Sequence, residues 1–468
     1  MRLKDVYRHT GLLYGVNLAS SIVTFAIMIL VTRWISKADM GSYGLFQAYF
    51  FVAAYATGLG VNQTLVKTIA ERNTAPAQLH ALLASVLGAI VLVCAVVGAA
   101  LWYFEQYILA AVVLTLPAYH AFDFSLSYCR GHLWKVRESL ILLGSSLATS
   151  AAIVVCTHYW PDWRGPVIGQ VTSFYFIAAV VVALFFRMPV DAGRFARPQG
   201  EWLKRFAFTA GPIFATAALF SFGEVADRFM IEHFLGREVL AEYFLAMAFL
   251  NILDKPIGLL SRVLLSHFSQ ATHATDAGAR HAAVGRLVQL NTLVFPVFAL
   301  AVVVLLPHVL SQFFNKDYSR AFDILAVISA IMVIKAFEVV NSSLAIAKDE
   351  ARSNLRSQIV SLVVYLPLAL LLLKVAGIFG VAVAIALRWL TFTWYQFARL
   401  ERAGVDTVSR TALAKALLAY LTALALYPEA PWLSLPAYVA CGFALRLWSI
   451  DDFARLMPWL RTHLLPSK

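Results

Sequence analysis

The stretch from residue 79 to residue 103, LHALLASVLGAIVLVCAVVGAALWY, contains no Asp, Glu, Lys or Arg. An apolar run of about 20 residues is long enough to cross the hydrocarbon core of a bilayer as one α-helix. A helix suits that environment because it satisfies its own backbone polar groups where no water is present. The stretch therefore predicts a membrane-spanning helix.

The rest of the chain repeats this pattern, with apolar runs separated by charged or turn-rich breaks. The runs predict an all-α integral membrane fold of about fourteen transmembrane helices. The predicted spans are 11–33, 43–65, 79–103, 107–128, 139–159, 166–187, 206–231, 240–265, 287–308, 321–346, 356–374, 377–397, 411–427 and 432–449.

The composition agrees with a protein that lies almost entirely in the membrane. Hydrophobic residues make up 61% of 468 positions and charged residues 14%, whereas soluble domains carry about 25% charged residues. The net charge of +12 would suggest a nucleic-acid partner in a soluble protein. In a membrane protein it reflects basic cytosolic loops, so no nucleic-acid partner is expected. The four cysteines show no metal-ligand spacing, and no metal is expected.

The basic residues also predict the orientation of the chain. They concentrate in the even-numbered breaks between spans, such as the break that contains Arg130, Lys135 and Arg137. Cytosolic loops carry this excess, so both termini are expected in the cytosol. The basic N-terminus precedes an apolar run and lacks a small-residue cleavage site, which predicts an uncleaved first span.

An internal repeat is predicted around the longest polar break, PVDAGRFARPQGEWLK at 189–204. An offset of 200 residues superposes Gly11 on Gly211 and Tyr43 on Tyr243 without gaps. Two six-helix lobes in parallel orientation are typical of transporters. The predicted domains are an N-lobe at 1–188 with helices 1–6, a cytosolic linker at 189–204, a C-lobe at 205–400 with helices 7–12, and helices 13–14 with a cytosolic tail at 401–468.

Ionisable side chains inside the predicted spans indicate candidate sites, because each costs at least a few kcal/mol at mid-bilayer unless it faces a cavity or a partner. Basic groups bind phosphate strongly where water is scarce. We therefore expect a cavity for an anionic headgroup such as a pyrophosphate. The candidate binding residues are Arg228, Lys255, Lys335 and Arg388.

The acidic side chains of the spans have two possible roles, which are ion or proton coupling and structural pairing. Glu224 and Arg228 stand at i,i+4, a spacing that permits a local ion pair, and Lys335 and Glu338 stand at i,i+3. Arg388 has no acid within one turn. The acidic candidates are Asp123, Glu224, Asp227, Asp254 and Glu338.

Three segments resemble the polysaccharide transporter family, which contains the O-antigen and lipid-linked oligosaccharide flippases. They are TRWISKADMGSYGLFQAY at 32–49, GLGVNQTLVKTIAE at 58–71 and EVADRFMIEHFLGREVLAEYFLA at 224–246. The family belongs to the superfamily of multidrug and toxin extruders and lipid II flippases. The Asp227-Arg228 pair is the most specific match. Glu242 departs from the pattern, because the family often has a glycine ahead of Tyr243.

The resemblance implies a flippase of the bacterial cell inner membrane. Its substrate would be an undecaprenyl-pyrophosphate-linked oligosaccharide, an O-antigen or exopolysaccharide repeat unit, moved by alternating access between leaflets. Membrane lipids, a polysaccharide polymerase and a chain-length regulator would be its partners, with no nucleotide and no cofactor. Helices 13–14 would either form a groove for the lipid tail or only pack against the second lobe.

Two other functions fit parts of the sequence. A cation-coupled multidrug extruder shares the architecture, but its cavity calls for carboxylates and few basic groups. A membrane-embedded polysaccharide polymerase normally needs a sizeable outer loop with catalytic groups. The outer breaks here are short, and no GxSxG, HExxH or P-loop motif is present. The protein is therefore not expected to be an enzyme.

Overall fold

The computed structural model describes residues 3–70, 76–132, 134–186, 200–271, 277–310, 313, 318–347, 351–402 and 410–448. Across these ranges the chain forms fifteen helices and no strand, which confirms the all-α prediction. Seven of the described helical segments are long and apolar enough to cross a membrane, and the protein is a multi-pass membrane protein. The total of fourteen spans stays a prediction. The seven segments are Leu79–Tyr103, Tyr107–Gly131, Val136–Tyr159, Arg164–Ala183, Phe206–Leu235, Asn291–His308 and Asn354–Arg402.

The chain divides into two compact units, Met1–Leu245 and Ala246–Lys468. The predicted domain boundaries, which place a linker at 189–204, stay a prediction, and residues 189–199 lie outside the described part of the chain. Helices of the first unit are α1 (Leu3–Trp34), α2 (Lys37–Gly58), α3 (Val61–Ala70), α4 (Pro76–Tyr103), α5 (Tyr107–Gly131), α6 (Lys135–Tyr159), α7 (Arg164–Phe186), α8 (Gly200–Leu235) and the first turns of α9 (Arg237–Ala271).

The second unit continues α9 and adds six further helices in the described residues. They are α10 (Ala277–Leu310), α11 (Ser319–Ile328), α12 (Ile331–Ala347), α13 (Ala351–Arg402), α14 (Arg410–Ala425) and α15 (Pro431–Ala444).

Two of the predicted spans contain a break that the apolar pattern does not reveal. Span 43–65 is divided between α2 and α3, because Leu59 and Gly60 adopt left-handed backbone angles, with φ of 48° and 68°. The upstream end of α2 is better defined, since the Ser36 side chain accepts a hydrogen bond from the Asp39 N–H at 3.1 Å and caps the first turn. Span 321–346 is likewise divided between α11 and α12.

A single glycine separates the two adjacent spans predicted at 356–374 and 377–397. Both lie on α13, and the helix is interrupted at Gly377, where φ is 57° and ψ is −135°. Only glycine adopts these angles without a steric penalty. The predicted boundary therefore coincides with the backbone break.

The two C-terminal helices pack against the second unit through buried aromatic side chains. Tyr420 of α14 donates a hydrogen bond to Ser329 Oγ at 2.7 Å, at the break between α11 and α12. Tyr438 of α15 donates to the Thr292 carbonyl of α10 at 2.6 Å. These bonds fix both helices to the unit, as one of the two expectations for helices 13–14 requires. The groove for a lipid tail stays a prediction.

The offset found in the sequence recurs in the positions of two helices. Helix α2 begins at Lys37 and α9 begins at Arg237. The offset of 200 residues therefore also relates the starts of these two helices.

Candidate functional site

The strongest cluster of charged groups in the second unit is built around Lys335 of α12. Its Nζ lies 2.7 Å from Asp254 Oδ2 of α9, and the two side chains are 11% and 36% exposed. The same Nζ lies over the Trp389 ring of α13, 4.5 Å from the ring centroid. The Lys335 ammonium therefore contacts both a carboxylate and an indole.

Arg388 lies beside the same indole. Its Cζ is 5.8 Å from the centroid of Trp389 and 5.7 Å from that of Tyr365, and the residue is only 3% exposed. Aromatic faces attract cations, more strongly where water is scarce. Two predicted binding residues thus share one tryptophan. We call Lys335, Arg388, Trp389 and Tyr365 the cation cluster.

A hydrogen-bond network adjoins the cation cluster between α12 and α13. Ser342 Oγ donates to Glu338 Oε1 at 2.5 Å. Gln396 Nε2 lies 2.8 Å from Ser342 Oγ and 2.8 Å from Asn354 Oδ1. Glu338, which the i,i+3 spacing placed beside Lys335, accepts its hydrogen bond from a serine. The ion pair of Lys335 is made with another helix.

In the first unit, Asp227 ties two helices together. The carboxylate accepts hydrogen bonds from the Tyr243 hydroxyl of α9 and from the Arg228 backbone N–H at 2.8 Å, and the residue is 2% exposed. A buried carboxylate is stable only when it is hydrogen-bonded or paired. This geometry favours the structural alternative for Asp227, whose role stays a prediction.

Arg228 follows on the same helix but points elsewhere. Its Cζ lies 5.8 Å from the Phe244 ring centroid, and its buried Nε has no hydrogen-bond partner among the residues that the structure describes. Arg228 and the cation cluster belong to different compact units. The side chain of Lys255, the remaining predicted binding residue, lies outside the described residues.

The other two acidic candidates of the first unit lie near an exposed tyrosine. Asp123 of α5 accepts a hydrogen bond from Asn62 Nδ2 of α3. Tyr55 of α2 is within electrostatic range of both Asp123 and Glu224. Each of these two predicted coupling candidates therefore lies in the neighbourhood of Tyr55. Within the described ranges, no group of three His, Cys, Asp or Glu side chains could hold a metal ion.

Sequence reasoning missed an ion pair between the starts of α2 and α9. Lys37 Nζ lies 2.5 Å from Glu242 Oε1, and the Glu242 side chain is 5% exposed. Nearby, α2 approaches the α8–α9 turn so closely that a Cβ added to Gly41 would lie 1.9 Å from the Arg237 carbonyl oxygen. Glu242, the departure from the family pattern, was the available signal for this contact.

Comparison with known proteins places this geometry in a family. Residues 6–272 match the model of the polysaccharide biosynthesis protein family, which is more than half of the 468 residues. No curated protein matches the chain in sequence.

Solved structures share the fold at low sequence identity. An inward closed structure of the lipid II flippase MurJ is 14% identical, with a TM-score of 0.70, and the match covers 97% of this chain and 99% of that chain. An inward-facing multidrug resistance MATE family transporter of the MOP superfamily is 14% identical, with a TM-score of 0.61 and coverage of 83% and 94%. A MOP superfamily transporter from Pyrococcus furiosus is 14% identical, with a TM-score of 0.54 and coverage of 87% and 98%.

These matches agree with the helical architecture and with the resemblance carried by the Asp227-Arg228 segment. The chain therefore belongs to the polysaccharide biosynthesis protein family and has the fold of the MOP superfamily transporters.

Proposed function

We propose that the protein is a flippase for a polyprenyl-pyrophosphate-linked oligosaccharide, an O-antigen or exopolysaccharide repeat unit. Family membership supports a role in polysaccharide biosynthesis. The observation that carries the substrate class is the cation cluster, in which Lys335 and Arg388 share the Trp389 ring inside membrane helices. A positively charged side chain within a membrane span is costly in free energy, and such a group usually binds a substrate or an ion.

The chemistry of a pyrophosphate fits this cluster. A guanidinium can donate two hydrogen bonds to one phosphate, and an ammonium supplies a compact positive charge. Both interactions strengthen where water is scarce. The polyprenyl tail needs no such site, because it is soluble in the bilayer. The protein then moves the headgroup across the inner membrane by alternating access without breaking a covalent bond in the substrate.

The proposed surroundings of the protein follow from the same function. It lies in the bacterial inner membrane with both termini in the cytosol, where the lipid-linked repeat unit is made. Its partners are the lipid-linked oligosaccharide, the membrane lipids and the polymerase and chain-length regulator that use the flipped product.

A cation-coupled multidrug extruder is the second candidate. The MATE structures share the fold, so the fold alone does not separate the two functions. The specific observation in its favour is the pair of acids near Tyr55, Asp123 and Glu224. We place it second because the family match is to polysaccharide biosynthesis.

The test is flipping in vesicles that contain the purified protein and a fluorescent polyprenyl-pyrophosphate-linked oligosaccharide. A membrane-impermeant quencher measures how much substrate changes leaflet. We expect wild type to flip it and Lys335→Gln or Arg388→Gln to flip at least about tenfold more slowly, the effect of losing one charged hydrogen bond. Lys374→Gln is the matched control, because Lys374 is an exposed cation on α13.

The same vesicles separate the two candidate functions. Uptake of a cationic dye driven by an imposed proton or sodium gradient, without flipping of the oligosaccharide, would contradict the flippase and support the extruder. If neither Lys335→Gln nor Arg388→Gln changes the rate of flipping, the cation cluster does not bind the headgroup.

A further inference from the structure

The ion pair at the cation cluster bears on how a substrate could enter and leave. Lys335 Nζ already has an anionic oxygen at 2.7 Å, from Asp254. A phosphate oxygen seeks the same contact with the ammonium and would bring its negative charge close to the Asp254 carboxylate, so the two anions repel each other. Trp389 takes up a further part of the surroundings of the ammonium, with its ring centroid 4.5 Å from Nζ.

The solvent exposure of the two side chains indicates which member of the ion pair can move. The Asp254 side chain is 36% exposed and the Lys335 side chain only 11%. Lys335 is fixed by the helix–helix packing and by the indole, whereas the carboxylate has room on its open side. A short carboxylate side chain on one helix can rotate away without moving the ammonium on the other.

We propose that Asp254 is the resting counter-ion of Lys335 and that an anionic headgroup enters by exchanging with it. This inference rests on the proposed function and adds a residue that controls both affinity and release. Without substrate, Asp254 neutralises Lys335. When a phosphate binds, the carboxylate turns aside, and it returns to displace the phosphate at the end of the cycle.

The charges around Asp254 favour this exchange. Among the described residues, Lys335 pairs with it and Glu338 lies within electrostatic range of it, while the Cζ of Arg388 lies 5.8 Å from the centroid of the shared indole. A bound phosphate therefore repels two nearby carboxylates. The repulsion moves the Asp254 carboxylate, because it is the more exposed of the two. Asp254 and the phosphate then replace each other at Lys335. The ammonium therefore always has a counter-ion, which a poorly solvated charge needs.

The exchange makes opposite predictions for binding and turnover. In Asp254→Asn the competitor of the phosphate is gone, so geranylgeranyl pyrophosphate should bind to the purified protein in nanodiscs about tenfold more tightly than to wild type. Flipping of the labelled lipid-linked oligosaccharide should slow by a similar factor, because release loses the returning carboxylate. A carboxylate with only a structural role would lower both quantities or neither.

Three further variants complete the design. Lys335→Gln should weaken binding, and the double variant Asp254→Asn with Lys335→Gln should bind no more tightly than Lys335→Gln alone, because the competition needs the ammonium. Asp254→Glu keeps the charge and should bind close to wild type. Asp323→Asn, at an exposed acid of α11, is the matched control and should change neither quantity.

The outcomes separate the inference from the function on which it rests. If wild type binds and flips but Asp254→Asn gains no affinity while keeping the thermal melting profile of wild type, the exchange is wrong and the flippase stands. If Asp254→Asn melts at a lower temperature than wild type, the binding affinities of the Asp254→Glu and double variants test the exchange instead. If wild type neither binds the pyrophosphate nor flips the oligosaccharide, both proposals fail.

Discussion

At the scale of single residues, the acids of the membrane helices differ in their contacts in ways that the sequence does not distinguish. The Asp227 carboxylate accepts hydrogen bonds from Tyr243 and from a backbone N–H, which favours a structural role. Asp254 is half-exposed and faces a lysine, which favours a change of partner. The position of each acid along its predicted span can be read from the sequence. Its partner cannot, because helical periodicity reveals only neighbours one turn away on the same helix.

The hydrogen bond between Asp227 and Tyr243 gives a first stability prediction. Asp227→Asn and Tyr243→Phe should each reduce the stability by about 1–3 kcal/mol, the cost of leaving a buried polar group without its partner. The double variant should cost clearly less than the sum, because either change already breaks the bond. Thermal melting in detergent measures all three. Glu238→Gln, at an exposed acid of α9, is the control, and additive losses would contradict the coupling.

At the scale of helices, the apolar runs of the sequence predict where the helices lie but not where a span is broken. Within the described residues, the first twelve predicted spans each fall on one helix or on two consecutive helices, since length and hydropathy decide what can cross a bilayer. The last two spans, predicted at 411–427 and 432–449, extend beyond the ends of α14 and α15 at Ala425 and Ala444. The interruption after Gly58 was not predictable from hydropathy. It contains no proline, and the left-handed φ of Leu59 is unfavourable for a residue with a side chain.

The close approach of α2 to the α8–α9 turn gives a prediction at this scale. Gly41→Ala should destabilise the protein by about 1–3 kcal/mol, the usual cost of overpacking, because its Cβ would lie 1.9 Å from a backbone oxygen. Gly44→Ala should cost less, because the atom that it meets at 3.0 Å belongs to the Phe244 side chain, which can move.

Gly15→Ala provides the matched control for these two variants. Gly15 lies on α1, and a Cβ added there meets no atom within 4 Å. Because alanine favours the helix over glycine by about 1 kcal/mol, this variant should melt at the same temperature as wild type or higher. Equal melting temperatures for all three variants would show that α2 and the turn are not in close contact in the membrane.

At the scale of the whole molecule, the sequence predicted the fold class and the repeat but left the charges unpaired. The 200-residue offset reappears in the starts of α2 and α9. The pairs Lys335 with Asp254 and Lys37 with Glu242 join residues far apart in the chain. Only the folded chain brings such residues together. Lys335 and Arg388 were among the predicted candidates, but their arrangement around Trp389 was not predictable, and the set of four binding residues stays a prediction.

The orientation in the membrane gives the last prediction. With the native cysteines replaced, Asp162→Cys in the break after the fifth span should react with an impermeant maleimide added to intact cells. Arg137→Cys in the preceding break should react only after the membrane is made permeable, because the basic breaks stay in the cytosol. Both positions are accessible enough to react, since Asp162 is half-buried and Arg137 exposed. The reverse labelling pattern would place the termini outside.

The break between α2 and α3 also bears on what surrounds it. Carbonyl and amide groups that leave a helix inside a bilayer cannot face hydrocarbon, because lipid tails offer them no hydrogen bond. Leu59 is 51% exposed at just such a point. We therefore expect the backbone of this break to be covered by water or by other parts of the protein, as at Gly60, where an added Cβ would lie 2.5 Å from the Ala210 carbonyl oxygen of α8.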